Sequence, residues 1–208
     1  KKTMRILAAL VVYGVAVAAH ATITYTYSYT GQPYSKGKIA NFTPPCGTGS
    51  CANYSGTMSI TGSFTTAAPL PPNLPSRTDI PGLVTSYSFT DGINLFSSTD
   101  PNSRRYEVRA QTDSSGNIVA SGMDISLERW QTGSSPHAVN DRFANVGIGF
   151  GHDSAINNAP CSEIASPPPS PPVDSDSCAG FRTDESHSWA TGGSNGTWSM
   201  TSSFSGST

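Results

Sequence analysis

Two carboxylates four positions apart, Asp124 and Glu128, come nearest to a reaction by residue type and spacing. They sit in the alternating run from Ile118 to Trp130, where period-two geometry puts both on one strand face. A carboxylate pair on a β-sandwich can cleave glycosidic bonds, one group acting as acid and the other as base or nucleophile. Four residues along a strand span about 13 Å. That is too far for a retaining pair and long for an inverting one, so a partner from another strand would be needed. An ordinary solvated strand face explains the same spacing with fewer assumptions.

The other candidates are weaker in chemistry. His137, His152 and His187 stand apart in sequence and would need Asp153 or Glu185 to complete a metal site; surface histidines are expected instead. Gly147-Ile-Gly-Phe-Gly-His-Asp153 has the glycines of a phosphate loop but no following Lys-Ser/Thr and no following helix, so its glycines are assigned to sheet packing. Asp174-Ser-Asp176 could hold calcium loosely, although a short acidic run in a Pro/Ser loop is ordinarily just solvated. No nucleophile-elbow motif frames a serine, and no cofactor is implied. Trp130, Trp189 and Trp198 remain as candidate ligand-binding residues, because an indole face offers apolar contact to the CH face of a pyranose. Packing in the core or at its rim is the competing role for each.

The elements that must carry these residues are strands. Leu83 to Phe96 alternates apolar and polar residues on either side of Asp91-Gly92, which predicts a hairpin closed by a tight type I′ turn. Thr22 to Tyr29 puts Ile23, Tyr25, Tyr27 and Tyr29 on one face; these tyrosines are expected to pack inward and reach polar partners with their hydroxyls. Tyr54 to Thr65 reads as a strand burying Met58, Ile60 and Phe64, with Gly62 marking a bulge or close approach. Ala68 to Pro75 is too rich in proline to pair centrally and reads as an extended connection, and Thr78 to Gly82 as a turn. Tyr106–Gln111 and Ile118–Trp130 form a second hairpin around the Thr112–Asn117 turn. Asp141–Phe150 is a strand thinned by glycines, and His187–Ala190 with Gly196–Phe204 reads as a closing hairpin. Residues 31–53 form a loop insert and residues 160–178 a Pro/Ser-rich insert, its centre polyproline-like. No amphipathic helix follows residue 21. The expectation is an all-β chain, an antiparallel β-sandwich of jelly-roll-like or similar two-sheet architecture.

Composition agrees with export. Only 12 % of residues are charged and the formal net charge is −2, so no broad basic surface for nucleic acid is implied. Lys1, Lys2 and Arg5 precede a short apolar run and Ala19-His20-Ala21, the pattern of a secretory signal peptide cleaved after Ala21. The run is shorter than the ~20 residues of a spanning helix, so no membrane association is expected after cleavage. One domain, residues 22–208, would then remain. Four cysteines suit an oxidising compartment. They allow three connectivities, of which Cys46–Cys51 with Cys161–Cys178 is the simplest; their spacing fits no common zinc pattern.

The order of motifs is similar to that of a known family. The Tyr/Thr strand is followed by Ile60-Thr-Gly-Ser-Phe-Thr65, Ala68-Pro-Leu-Pro-Pro-Asn-Leu74, Ser86-Tyr-Ser-Phe-Thr-Asp-Gly92, Thr112-Asp-Ser-Ser-Gly-Asn-Ile118 and Gly196-Thr-Trp198. This resembles small secreted bacterial proteins that often carry a PEP-CTERM surface-sorting tail. The resemblance implies a Gram-negative envelope or extracellular location and sorting by an exosortase system associated with exopolysaccharide production. It supplies no catalytic residues. Residues up to Thr208 contain no Pro-Glu-Pro tripeptide, so the resemblance rests on the domain and not on the sorting signal. The function expected is a secreted, non-catalytic envelope or matrix protein whose partners are polysaccharide or other envelope components, with a carbohydrate-binding module and a glycoside hydrolase as alternatives.

Overall fold

The structure is a computed structural model that describes residues 22–149, 151–165 and 175–205. The signal-peptide reading, the polyproline-like centre of the second insert and Asp174 fall outside these residues. The strands are β1 (Thr22–Thr30), β2 (Lys38–Ala40), β3 (Thr61–Thr66), β4 (Thr78–Asp79), β5 (Val84–Thr90), β6 (Leu95–Ser97), β7 (Ser103–Thr112), β8 (Ile118–Trp130), β9 (Arg142–Ile148), β10 (Ser154–Ile164), β11 (Cys178–Phe181), β12 (Ser188–Thr191) and β13 (Thr197–Ser205). A five-stranded sheet has the order β13-β1-β3-β5-β6; the larger sheet runs β2-β12-β10-β9-β8-β7-β4, with β11 beside β10. All pairings are antiparallel. The all-β, two-sheet expectation therefore holds. Strands β7 to β10 are sheet neighbours in chain order, so this sheet is a meander rather than a jelly roll.

The core fills the space between the sheets. Tyr27 stacks on Phe64 at 4.9 Å, and Trp198 closes against Tyr29 and Phe64. Ile125, Leu127, Val146, Ile148, Ala155 and Ala190 supply the opposing face. The tyrosine hydroxyls find partners as expected: Tyr27 accepts from the Leu70 amide at 2.7 Å, and Tyr29 donates to Asp153. Gly62 is a close approach, because a Cβ there would collide with the Phe89 backbone.

Four expectations are corrected. The Asp91-Gly92 connection is not a two-residue turn: Thr90 pairs with Leu95, leaving residues 91–94 as the loop, and only Gly92 has a positive φ. Asp91 instead holds the turn with its side chain, accepting from the Ile93 and Asn94 amides at 2.8 and 2.6 Å. The strand expected over 54–65 begins only at Thr61, since the preceding carbonyls of Met58 and Ile60 accept from Tyr34 and Gly31. Strands β12 and β13 are not a hairpin but lie in different sheets, with Gly192 to Gly196 carrying the chain from one to the other. Finally, the supposed inserts are partly sheet. Strand β2 lies in the first, and β10 runs on through Pro160 to Ile164, past a bulge at Asn158 with φ 61°.

Candidate functional site

Strand alternation sorts the larger sheet into an inner face, toward the core, and an outer face. Asp124, Ser126, Glu128 and Trp130 share the outer face of β8, as the sequence pattern predicts. That face is not solvated where they stand. Asp124 and Glu128 are only 8 % and 2 % exposed. Asp124 lies 3.5 Å from Arg77 and 3.6 Å from Arg109; burial pushes its carboxyl up and the two guanidiniums oppose that. Glu128 accepts from the Cys178 amide at 2.8 Å. Both carboxylates are thus bound to structural partners.

The cover over this face is a second, small apolar cluster of Trp130, Phe143, Ala159 and the Cys161–Cys178 disulfide, with Ile156 and Ile164 against it. Both local disulfides expected from the spacing are present. His137 is not a surface histidine: it is buried and stacks on Trp130 at 4.4 Å with the rings nearly parallel. The Trp130 indole donates to the Asp176 carbonyl at 3.1 Å. Trp130 is therefore a core residue with no free face for a ligand. Trp198 is half-buried and packs against the main core. His152 is exposed and His187 half-buried, and no group of three metal-ligating side chains occurs among the described residues.

Asp176 fixes the cover. Its carboxylate accepts from Arg104 Nε at 2.7 Å, from the Ser135 hydroxyl at 3.0 Å, and from His137 through the amide at 3.0 Å and Nδ1 at 2.9 Å. Burial alone would push this carboxyl up; the hydrogen bonds from Arg104, His137 and Ser135 outweigh burial and hold it well below the ordinary 3.8. Asp176→Ala leaves Arg104, whose side chain is 11 % exposed, without its carboxylate. The expected cost is about 3–5 kcal/mol, read as a lower urea midpoint. In the wild type this contribution is complete above the ordinary carboxylate range. It fades as the pH falls below that range, so the variant's deficit shrinks in acid. A deficit that stays constant with pH would contradict the assignment.

Two indoles are half-buried and at a groove: Trp198 borders a small one of about 120 Å³ with Ile118 and Met200, and Trp189 a larger, apolar one. Trp189 lies on β12, opposite Ile156 of β10 and Ala40 of β2, all on the outer face. With Phe181, which is 46 % exposed, Ile156 and His187, it lines an open concavity of about 320 Å³ that is almost wholly apolar at its surface. On its other side Trp189 borders a second groove with Lys36, Lys38 and His152. Ser154 and Thr191, paired between β10 and β12, also line the concavity. The sequence signalled Trp189 by residue type, whereas Phe181, Lys36 and Lys38 carried no signal, since only strand pairing brings them to it.

Fold and groove together define the class: an antiparallel two-sheet β-sandwich with an aromatic groove on the outward face of the larger sheet. No known protein family, curated protein or solved structure matches this chain.

Proposed function

We propose that the chain is a secreted, non-catalytic β-sandwich of a Gram-negative envelope or extracellular matrix, and that it acts by holding a glycan in the Trp189 groove. The observation that carries this reading is the placement of Trp189: an indole flanked by Phe181 and Ile156, on a sheet face with hydroxyl-bearing neighbours. That is the usual composition of a ligand site, mostly apolar with a few polar groups for orientation. The two disulfides fit an oxidising compartment. The basic and apolar N-terminal segment and the resemblance to PEP-CTERM proteins support export. The structural ties of Asp124 and Glu128 favour binding over hydrolysis.

Affinity electrophoresis through gels containing neutral and acidic polysaccharides tests the reading. The wild type is expected to be retarded, and Trp189→Ala to lose affinity by tenfold or more, roughly the effect of removing a central aromatic contact. Trp198→Phe, altered against the core, should still be retarded. Absence of retardation in every gel would remove glycan binding. Release of reducing ends that stops in Asp124→Asn or Glu128→Gln would make the protein a glycoside hydrolase instead.

A further inference from the structure

The described residues contain two lysines, Lys36 and Lys38, and both stand at the Trp189 groove. Their placement follows from the fold. The short 3-10 turn Tyr34–Lys36 leads into β2, which pairs with β12 so that Lys38 lies opposite Thr191 and Ala40 opposite Trp189. By alternation Lys38, Ala40, Trp189 and Thr191 share the outer face. Trp189 borders the same groove as Lys36 and Lys38.

The arginines of the described residues are tied to structural partners elsewhere. Arg77, Arg104, Arg109, Arg129 and Arg142 are held by carboxylates, and Arg105 and Arg182 by carbonyl oxygens. Lys36 and Lys38 are exposed, and neither ammonium makes an ion pair among the described residues. The titratable side chains lining the two grooves beside Trp189 are Lys36, Lys38, His152 and His187, with no carboxylate among them. Asp153, next to His152 in sequence, is fully buried, and Asp184, next to Thr183, is held by Arg142. In a chain of net charge −2, both lysines of the described residues therefore stand at one aromatic groove without an ion pair.

We infer that the groove takes an acidic polysaccharide. One sugar ring lies on Trp189 and Phe181, and the carboxylates of neighbouring residues, uronates or equivalent acidic sugars, meet Lys36 and Lys38. This rests on the glycan-binding reading above and adds the charge of the ligand. The two grooves, about 320 and 550 Å³, share Trp189 and Thr191, so one extended chain can occupy both. A nucleic acid is a poorer fit, because two lysines on a net-negative domain do not cover a run of phosphates.

The test uses the full chain with alginate, polygalacturonate and hyaluronate, each beside its carboxyl-reduced, neutral form, and follows tryptophan fluorescence and gel retardation. At least one acidic polymer is expected to bind about tenfold more tightly than its reduced form at low salt, and to lose most of that advantage as salt is raised. The Lys36→Gln/Lys38→Gln double variant should lose on the order of tenfold for the acidic form and nothing for the reduced one. Both positions are exposed, so its thermal unfolding should match the wild type. Equal affinity for acidic and reduced forms, or a double variant that binds as the wild type does, overturns the inference but leaves glycan binding standing. Failure of every polymer removes both. Binding of polyuridylate as tight as that of the acids, and indifferent to Trp189→Ala, assigns the lysines to nucleic acid and also overturns it.

Discussion

Asp91→Ala is expected to unfold at a much lower urea concentration than the wild type, equivalent to a loss of about 3–5 kcal/mol, a large part of the stability of a domain this size. Asp91 is fully buried at the β5–β6 turn. Its carboxylate accepts from the Ile93 and Asn94 amides at 2.8 and 2.6 Å, from Asn94 Nδ2 at 3.1 Å and from the Tyr54 hydroxyl at 2.8 Å. Alanine leaves the Ile93 and Asn94 backbone amides and the Tyr54 hydroxyl without this acceptor, and Asn94 Nδ2 with Asn157 Oδ1 alone. Burial raises the Asp91 carboxyl, and the hydrogen bonds from Asn94, Ile93 and Tyr54 oppose that rise.

The effect reaches beyond the turn because the network spans both sheets. Asn94 Nδ2 also lies 3.0 Å from Asn157 Oδ1 on β10, and Gln131 Nε2 donates to both Asn94 and Asn157. Asn157 in turn donates to the Ser50 carbonyl at 2.8 Å, beside the Cys46–Cys51 loop. Buried networks of this kind are favourable when complete and costly when cut. Asp91→Asn separates the two contributions. Its amide oxygen can still serve the backbone donors, while its Nδ2 faces the Asn94 amide as a second donor. A loss of about 1–2 kcal/mol is expected. Urea midpoints followed by circular dichroism, with the slope unchanged, measure both values. An Asp91→Ala midpoint equal to that of the wild type would show that the network carries no stability.

The sequence pattern predicts this hairpin but not its hub. Asp-Gly between alternating runs places the reversal correctly, yet the same dipeptide serves a tight exposed turn or a four-residue loop with a buried carboxylate. What decides is Asn94, Tyr54 and Asn157, two of them distant in the chain. Strand β8 shows the same division. Its alternation puts Asp124 and Glu128 on one face correctly, but a solvated face was expected because the cover of Phe143 and the Cys161–Cys178 disulfide comes from other segments. Strand β10 is hidden for a local reason. Asn157-Asn158 and Pro160 are turn-forming residues by composition, and only the bulge at Asn158 lets the strand continue past them. Local cysteine pairing is legible because it needs no tertiary information. The fate of each tryptophan is not, because the three are alike in type and differ only in what folds over them.

Asp153 is expected to contribute more stability at pH 4 than at pH 7.5, with Asp153→Asn removing that part of the pH dependence. The side chain is fully buried between β10 and the Gly31 turn. Its Oδ1 accepts from the Tyr29 hydroxyl at 2.5 Å, and Oδ2 has no hydrogen-bond partner among the described residues. Gly31 is required here, since a Cβ would collide with that carboxylate and with the Ile60 carbonyl. Burial pushes the carboxyl up to about 6 from 3.8; the Tyr29 hydrogen bond and the His152 charge only partly offset it. The folded pKa is thus above the unfolded one. The group's contribution is whole below about 3.8 and is lost as the pH rises through about 6, by up to about 3 kcal/mol at the plateau. Asp176 titrates with the opposite sign, its contribution failing only in more acidic solution. The summed contribution of these two carboxyls is greatest near the ordinary carboxylate range, before Asp153 ionises. Asp153→Asn keeps an oxygen for Tyr29 and cannot ionise. It should therefore resemble the wild type near pH 4 and exceed it in urea midpoint at pH 7.5. A wild type and variant separated by the same amount at every pH from 4 to 8 would show that Asp153 does not titrate within the folded protein in this range.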